Sequence, residues 1–287
     1  MKKIQEYHLH KNDYSKIHFE VKEAGPYFKK NFSHAIKAHR HSFYQVLWFK
    51  SAGRHYVDYE IVEHPENTIF FIKKKQIHYF CPDSKNEGYL FHFNDSFINK
   101  YDRDSETKLN YLLFTEIGNA FINPSESQLV KFEQLTSQIS EEIQNKDYNY
   151  VQQSYYLFQS VLTLIERIKK QQHALDYTVD VDYEIAIQFK QLIDKHINEF
   201  LSIDNFSDLL GIGSKKLTGI TKKYLHNTPA IVIHNRKILE AKRLLSNHKL
   251  SIKEVAYDLG FDQATYFTKY FKKHTGLIPK EFQAQIP

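Results

Sequence analysis

Two groups of residues in this sequence have types and spacings suited to chemistry. The first is His39-Arg40-His41 with Gln45 four residues on and His78 further along the chain. On an extended strand residues i and i+2 share a face, so His39, His41, Phe43 and Gln45 would point together. Such a group can line a pocket or plug a core. A neutral amide such as Gln45 is a poor ligand for a divalent cation. The second group lies near the C-terminus, where Gln263, Ala264, Thr265, Thr268, Lys269 and Lys272 alternate with Tyr266, Phe267, Tyr270 and Phe271. On a helix that buries its aromatic members, the others face outward. Gln and Thr suit base edges, and Lys suits guanine or phosphate.

The elements that must position the second group are legible around it. Ser251 followed by Glu254 forms a capping box, and Ile252, Val255, Ala256 and Leu259 make one buried face of a short helix. Gly260 ends that helix with a left-handed turn, and Asp262 is placed to cap the next. A similar unit precedes it. Ile203 to Leu210 reads as a helix capped by Ser202 or Asp204, Gly211-Ile212-Gly213 as the turn, and Ser214 to Tyr224 as a second helix with Ser214 as its cap. Leu217, Ile220 and Tyr224 are its buried positions, leaving Lys215, Lys216, Thr218, Gly219, Lys222 and Lys223 outside. Between the units, Ile231, Ile238, Leu239 and Leu245 recur at helical spacing with no Gly or Pro inside the stretch. A rigid connecting helix there would hold both outward faces on one side of a duplex, about 34 Å apart.

Arg236-Lys237-Ile238-Leu239-Glu240-Ala241-Lys242-Arg243-Leu244-Leu245, the run Ser251 to Gly260-Phe261, and the run from Tyr266-Phe267 through His274-Thr275-Gly276-Leu277-Ile278-Pro279-Lys280-Glu281-Phe282 together resemble the AraC/XylS family of regulators. The resemblance covers roughly residues 183 to 283. It implies a seven-helix DNA-binding domain whose two recognition helices enter successive major grooves. Three positions of the first unit depart from the pattern: Leu210 stands where the family usually has Ala, Gly219 lies inside the recognition helix, and Asn227 replaces Gly before Thr228-Pro229.

The N-terminal half has another rhythm. Short apolar or alternating runs at Phe43 to Phe49, His55 to Ile61, Thr68 to Ile72 and Tyr89 to Phe93 are separated by turn residues, which predicts an antiparallel sandwich or barrel. The His39, His41, Gln45 and His78 arrangement is similar to the metal-binding constellation of cupin barrels, with Gln45 at the position of their Glu. Regulators of the AraC type commonly carry such a barrel as an effector sensor. A pocket lined by His39, His41, Tyr44, Gln45, Trp48, Phe70 and His78 would combine apolar walls with a few polar groups, as small-molecule sites do. After Ser125, expected to cap a helix over Gln128 to Ile143, a second helix carries Val151, Tyr155, Phe158, Leu162 and Ile165 as one stripe. That stripe packs on its own barrel or, as the resemblance suggests, on a second subunit.

Composition bounds these readings. A chain of 287 residues with 41% hydrophobic and 15% aromatic residues has room for about two ordered domains. The single cysteine, Cys81, excludes an internal disulfide and a cysteine zinc site. No membrane span or secretory leader is read, so a cytoplasmic, nucleoid-associated protein is expected. Of the net charge of +5, the segment from Asp180 onward carries +4. The expected fold is α+β and multidomain. It comprises a cupin-like β-barrel over 1–124, a helical dimerisation hairpin over 125–172, a linker over 173–182 and an all-α double helix-turn-helix domain over 183–287. The expected function is sequence-specific transcription regulation, with activator and repressor both open, through Lys215, Lys216, Thr218, Lys222, Gln263, Thr265, Thr268, Lys269 and Lys272. The expected partners are double-stranded DNA, a small-molecule effector held by His39, His41, Tyr44, Gln45, Trp48 and His78, a second copy of the chain and, for an activator, RNA polymerase. No catalytic residue, cofactor or metal ligand is assigned. The rival reading is a metal-dependent cupin enzyme that also binds DNA, which Gln45 weakens; a third is a regulator set only by its own abundance.

Overall fold

A computed structural model describes residues 4–10, 13, 16–102, 121–172, 181–247 and 249–285. The chain divides into two compact units, Gln5–Tyr177 and Thr178–Pro287, the second counted together with Met1–Ile4. Of the linker expected over 173–182, all but the last two residues lie outside the described residues; Val181 and Asp182 already belong to a helix.

The first unit contains β1 (Gln5–Tyr7), β2 (Phe19–Glu23), α1 (Ala24–Ala35), β3 (His39–His41), β4 (Tyr44–Phe49), β5 (Gly53–Val57), β6 (Glu60–His64), β7 (Thr68–Ile72), β8 (His78–Phe80), β9 (Gly88–Phe93), α2 (Asp95–Ile98) and β10 (Phe121–Ile122). The strands form two five-stranded sheets, β1-β3-β8-β5-β6 and β10-β7-β4-β9-β2. The expected barrel is thus, among the described residues, two separate sheets and not a closed cylinder. Strand β4 is buried along its whole length, and its alternation serves two cores. Tyr44, Val46 and Trp48 face a cluster with Phe91, Phe93, Phe132 and Phe158, whereas Leu47 and Phe49 face a second cluster with Phe70, Phe80 and Leu90.

Helices α3 (Glu126–Asn145) and α4 (Tyr150–Gln172) form the hairpin. Ser125 and Gln128 close a capping box at the start of α3, so the predicted cap is where the sequence put it. The stripe Tyr155, Phe158, Leu162 and Ile165 is buried against the strand face that carries Trp48 and Phe91. Its apolar area is therefore consumed inside the unit.

The second unit is helical: α5 (Val181–Lys195), α6 (Ile203–Leu209), α7 (Ser214–Leu225), α8 (Pro229–Leu245), α9 (Ile252–Asp258), α10 (Ala264–Thr275) and α11 (Pro279–Gln285). Phe189 and Ile193 of α5 pack with Phe206 and Leu217 to make the core of the first helix pair. In the second pair Val255, Ala256, Phe267 and Phe271 are fully buried. The connecting helix α8 buries Ile238, Ala241 and Leu245, while Ile231, expected inside, lies on its solvent side. Lys237 of α8 is the unexpected core member. Its ammonium donates to the carbonyls of Glu199 and Leu259 at 3.1 and 3.2 Å and sits 3.7 Å from the centre of the Phe200 ring. Burial pushes its pKa down to about 8.

Candidate functional site

The two helix pairs are built alike, and their turns show which residues correspond. In the second pair Gly260 takes φ 82° and Phe261 N donates to Ala256 O at 2.9 Å. In the first pair Gly211 takes φ 66° and Ile212 N donates to Ser207 O at 3.0 Å. Ser207, buried and small, thus occupies the place of Ala256, and Leu210 that of Leu259. The departure read at Leu210 is corrected to Ser207, which still lets the second helix cross closely. The departure read at Asn227 moves as well. Helix α7 ends on His226 in the left-handed region at φ 54°, where α10 ends on Gly276 at φ 79°. Gly219 leaves α7 continuous and would meet no atom within 4 Å with a Cβ.

Caps differ from expectation by one residue. Gly213 and Gln263 are the N-caps of α7 and α10, without a side-chain capping bond in either case. Ser214 donates its hydroxyl to Asp204 instead. At the start of α6 the expected Ser202 does cap, paired with Asn205.

Lys215, Lys216, Lys222, Gln263, Thr265, Lys269 and Lys272 are exposed on α7, on α10 or at the N-cap of α10. Lys216 is engaged by Asp182 at 3.3 Å. Thr218 and Thr268 are half-buried, and their hydroxyls donate to the carbonyls of Ser214 and Ala264 at 2.9 and 2.8 Å. With that proton committed, each oxygen keeps only acceptor capacity toward a ligand. Tyr266 was expected in the core with Phe267 and is 69% exposed. It shares the outer surface with Thr265 and Lys269, an assignment that aromatic spacing alone could not make.

In the first unit the sheets bring together more histidines than the sequence pattern showed. His39, His41, His55, His78 and His92 are all buried. Strand register explains it: His39 lies opposite His78, and Gln45 opposite His92. His39 Nδ1 donates to Lys37 O at 2.7 Å, and His55 Nε2 lies 3.2 Å from His78 Nδ1. Gln45 Nε2 sits 3.3 Å from His41 Nε2 and 3.1 Å from His92 Nε2. Burial drives His39 down to about 4 and His41 and His78 well below the usual imidazole range. A cavity of about 250 Å³ opens beside them, lined by His39, His41, Gln45, His92, Glu20 and Tyr27 among others. Burial works against the Glu20 carboxylate, but bonds from His92 and Lys22 prevail and hold its pKa down at about 2.

Of the expected pocket residues, His39, His41 and Gln45 line this cavity. His78 lies behind them, its ring centre 4.6 Å from that of His39. Tyr44 and Trp48 belong to the opposite face, because successive side chains of a strand alternate and both are one residue out of phase with Gln45. Phe70 packs among Phe49, Phe80 and Leu90. His55, His92 and Glu20 were missed. Only sheet pairing brings them near.

The helix-turn-helix domain family matches residues 206–285. The histidine kinase P4 of Formosa agariphila is 30% identical over 95 residues, 33% of this chain and 7% of that protein. The xylose operon regulatory protein of Escherichia coli is 31% identical over 98 residues, 34% of this chain and 25% of that protein. The chain thus spans a quarter or less of the length of these two relatives. The probable transcription factor PqrA of Proteus vulgaris is 31% identical over 86 residues, which make 30% of this chain and 70% of that protein. The chain belongs to the AraC/XylS family of transcriptional regulators. All three matches are short enough to be accommodated by the helical unit. Among the described residues, no helix is long and apolar enough to cross a membrane.

Proposed function

We propose that the chain is a sequence-specific DNA-binding transcription regulator whose recognition helices are α7 and α10. The observation that carries this reading is the outer face of α10. Gln263 and Thr265 stand exposed at its N-terminal end, where recognition helices meet base edges, with Lys269 and Lys272 one and two turns further on. Lys215 and Lys222 supply the matching cations on α7, and Lys216 can serve phosphate by exchanging its Asp182 partner. We assign base reading chiefly to α10 and phosphate anchoring chiefly to α7. The cavity beside His39, His41 and Gln45 is the place for a small-molecule effector, and the family supports a regulatory role. Dimerisation through the α3–α4 hairpin would engage its outer side, where Val130 and Tyr156 are more than half exposed. An activator would meet RNA polymerase as well.

The test is enrichment of genomic fragments by the purified full chain, comparing wild type with the Thr265→Ala, Lys269→Ala double variant. Specific fragments lost in the double variant support the assignment. The Lys222→Ala variant should keep the same fragments, bind them all more weakly, and lower the slope of log affinity against log salt by about 1. Sequence-blind binding by the wild type would refute base reading.

A further inference from the structure

We propose that His39, His41 and His78 form a binding site for a late first-row divalent transition metal such as zinc, with one coordination position open to the adjoining cavity. The three imidazoles come from β3 and β8 and are all buried, and one ring nitrogen from each can be chosen so that all three lie within 4.8 Å of one another. Zinc–nitrogen bonds of about 2.0–2.1 Å in tetrahedral geometry require nitrogens about 3.3 Å apart. Binding must draw the rings together to close that gap.

The hydrogen bonds around the group point the same way. His39 donates its Nδ1–H to the Lys37 carbonyl, which leaves its Nε2 as a lone pair. This is how a protein fixes the tautomer of a metal-binding imidazole. His78 Nδ1 is occupied by His55, and His78 Nε2 is buried with no hydrogen-bond partner among the described residues. His41 Nδ1 is in the same condition. Buried polar atoms without partners are costly, and a cation held among the three rings would satisfy both. Plain aromatic packing accounts for the ring spacing and leaves both nitrogens unexplained.

The amide at Gln45, which in the sequence argued against a cation, has a different position in the structure. Its nitrogen lies between His41 Nε2 and His92 Nε2, and its oxygen is buried without a partner. Turned end for end, the amide accepts from His41 Nε2–H, which frees the His41 Nδ1 lone pair for the ion and leaves Gln45 outside the ligand set. The donor set is then three neutral imidazoles, a set that suits zinc, nickel or copper and serves magnesium or calcium poorly. With three protein ligands the fourth position is left for water or for a carboxylate or hydroxyl of a small molecule in the cavity. Lys22 and Glu20, paired at 2.6 Å, both line that cavity and offer an occupant one cation and one carboxylate.

The experiment uses tag-free full-length protein stripped of metal and titrated with Co²⁺, followed by displacement with Zn²⁺ against a chromophoric chelator. One saturable equivalent per chain with visible absorption of a nitrogen-ligated cobalt centre is expected. Affinity should fall by about a hundredfold or more in His41→Ala and in His78→Ala. His226→Ala, an exposed histidine of the other unit, should leave it unchanged. No saturable uptake by wild type, or uptake indifferent to His41→Ala and His78→Ala, overturns the site. Should either variant fail to fold, X-ray absorption on the zinc-loaded wild type counts the ligands: three imidazoles support the site, and two or fewer overturn it. DNA binding is measured on the same stripped and loaded samples. Specific DNA binding without metal uptake would remove this inference alone, and metal uptake without DNA binding would remove only the regulator reading.

Discussion

Gly260 sits at the turn of the second helix pair under two constraints that can be separated by substitution. Its φ of 82° lies in the left-handed region, and a Cβ built on it would fall 1.8 Å from the carbonyl oxygen of Asn198. Gly276 shares the first constraint at φ 79° and would meet nothing within 4 Å. Placing alanine in the left-handed region costs about 1–2 kcal/mol, part of which is offset because alanine also restricts the unfolded chain. Gly276→Ala should therefore destabilise by about 1 kcal/mol. Gly260→Ala adds a backbone clash, and forced overpacking costs a further 1–3 kcal/mol or so, giving about 2–4 kcal/mol in all. The assay is urea unfolding of the full chain followed by far-ultraviolet circular dichroism, which reports the helices of both units. The fluorescence of Trp48, the sole tryptophan and a buried residue of the other unit, serves as an internal control that should not move. Equal losses for the two substitutions would show that the Asn198 contact is relieved at no cost. That result would refute the argument that this carbonyl selects glycine.

Gly219→Ala should raise the stability of the helical unit by roughly 0.5–1 kcal/mol, because the position is helical, exposed and surrounded by open space. An unchanged urea midpoint would contradict this, and a gain in stability with a loss of DNA affinity would mark Gly219 as a point of close backbone approach to DNA. Glu20 carries a pH prediction. Its carboxyl is held at about 2 against an ordinary 4.5, so its stabilisation of the sheet unit is complete above pH 4.5 and is lost as pH falls toward 2. Allowing for its partial exposure to solvent, the contribution is at most about 2 kcal/mol. The difference in urea midpoint between wild type and Glu20→Gln, read from Trp48, should shrink between pH 6 and pH 3 or so; a constant difference would refute the assignment.

The sequence by itself determined the helical unit almost completely. Capping boxes at Ser202 and Ser251, turn glycines at 211 and 260 and apolar spacing at three and four residues are local signals, and each is set by interactions within a few residues. Its errors there were local too. Caps fell one residue from their expected places because Gly213 and Gln263 adopt extended backbone without side-chain caps, and Tyr266 turned outward because Phe267 and Phe271 already fill the helix interface. The sheet unit divided differently. That β4 would be a strand was readable in its apolar run, but which of its faces met the helical hairpin and which met the other sheet was decided by tertiary packing. The histidine cluster was half legible, since His39 and His41 share a face by the two-residue period alone. His78 was legible through the resemblance to cupin barrels, whereas His55 and His92 joined the group through strand pairings that span up to 50 or so residues of chain, and no local pattern encodes a register of that kind.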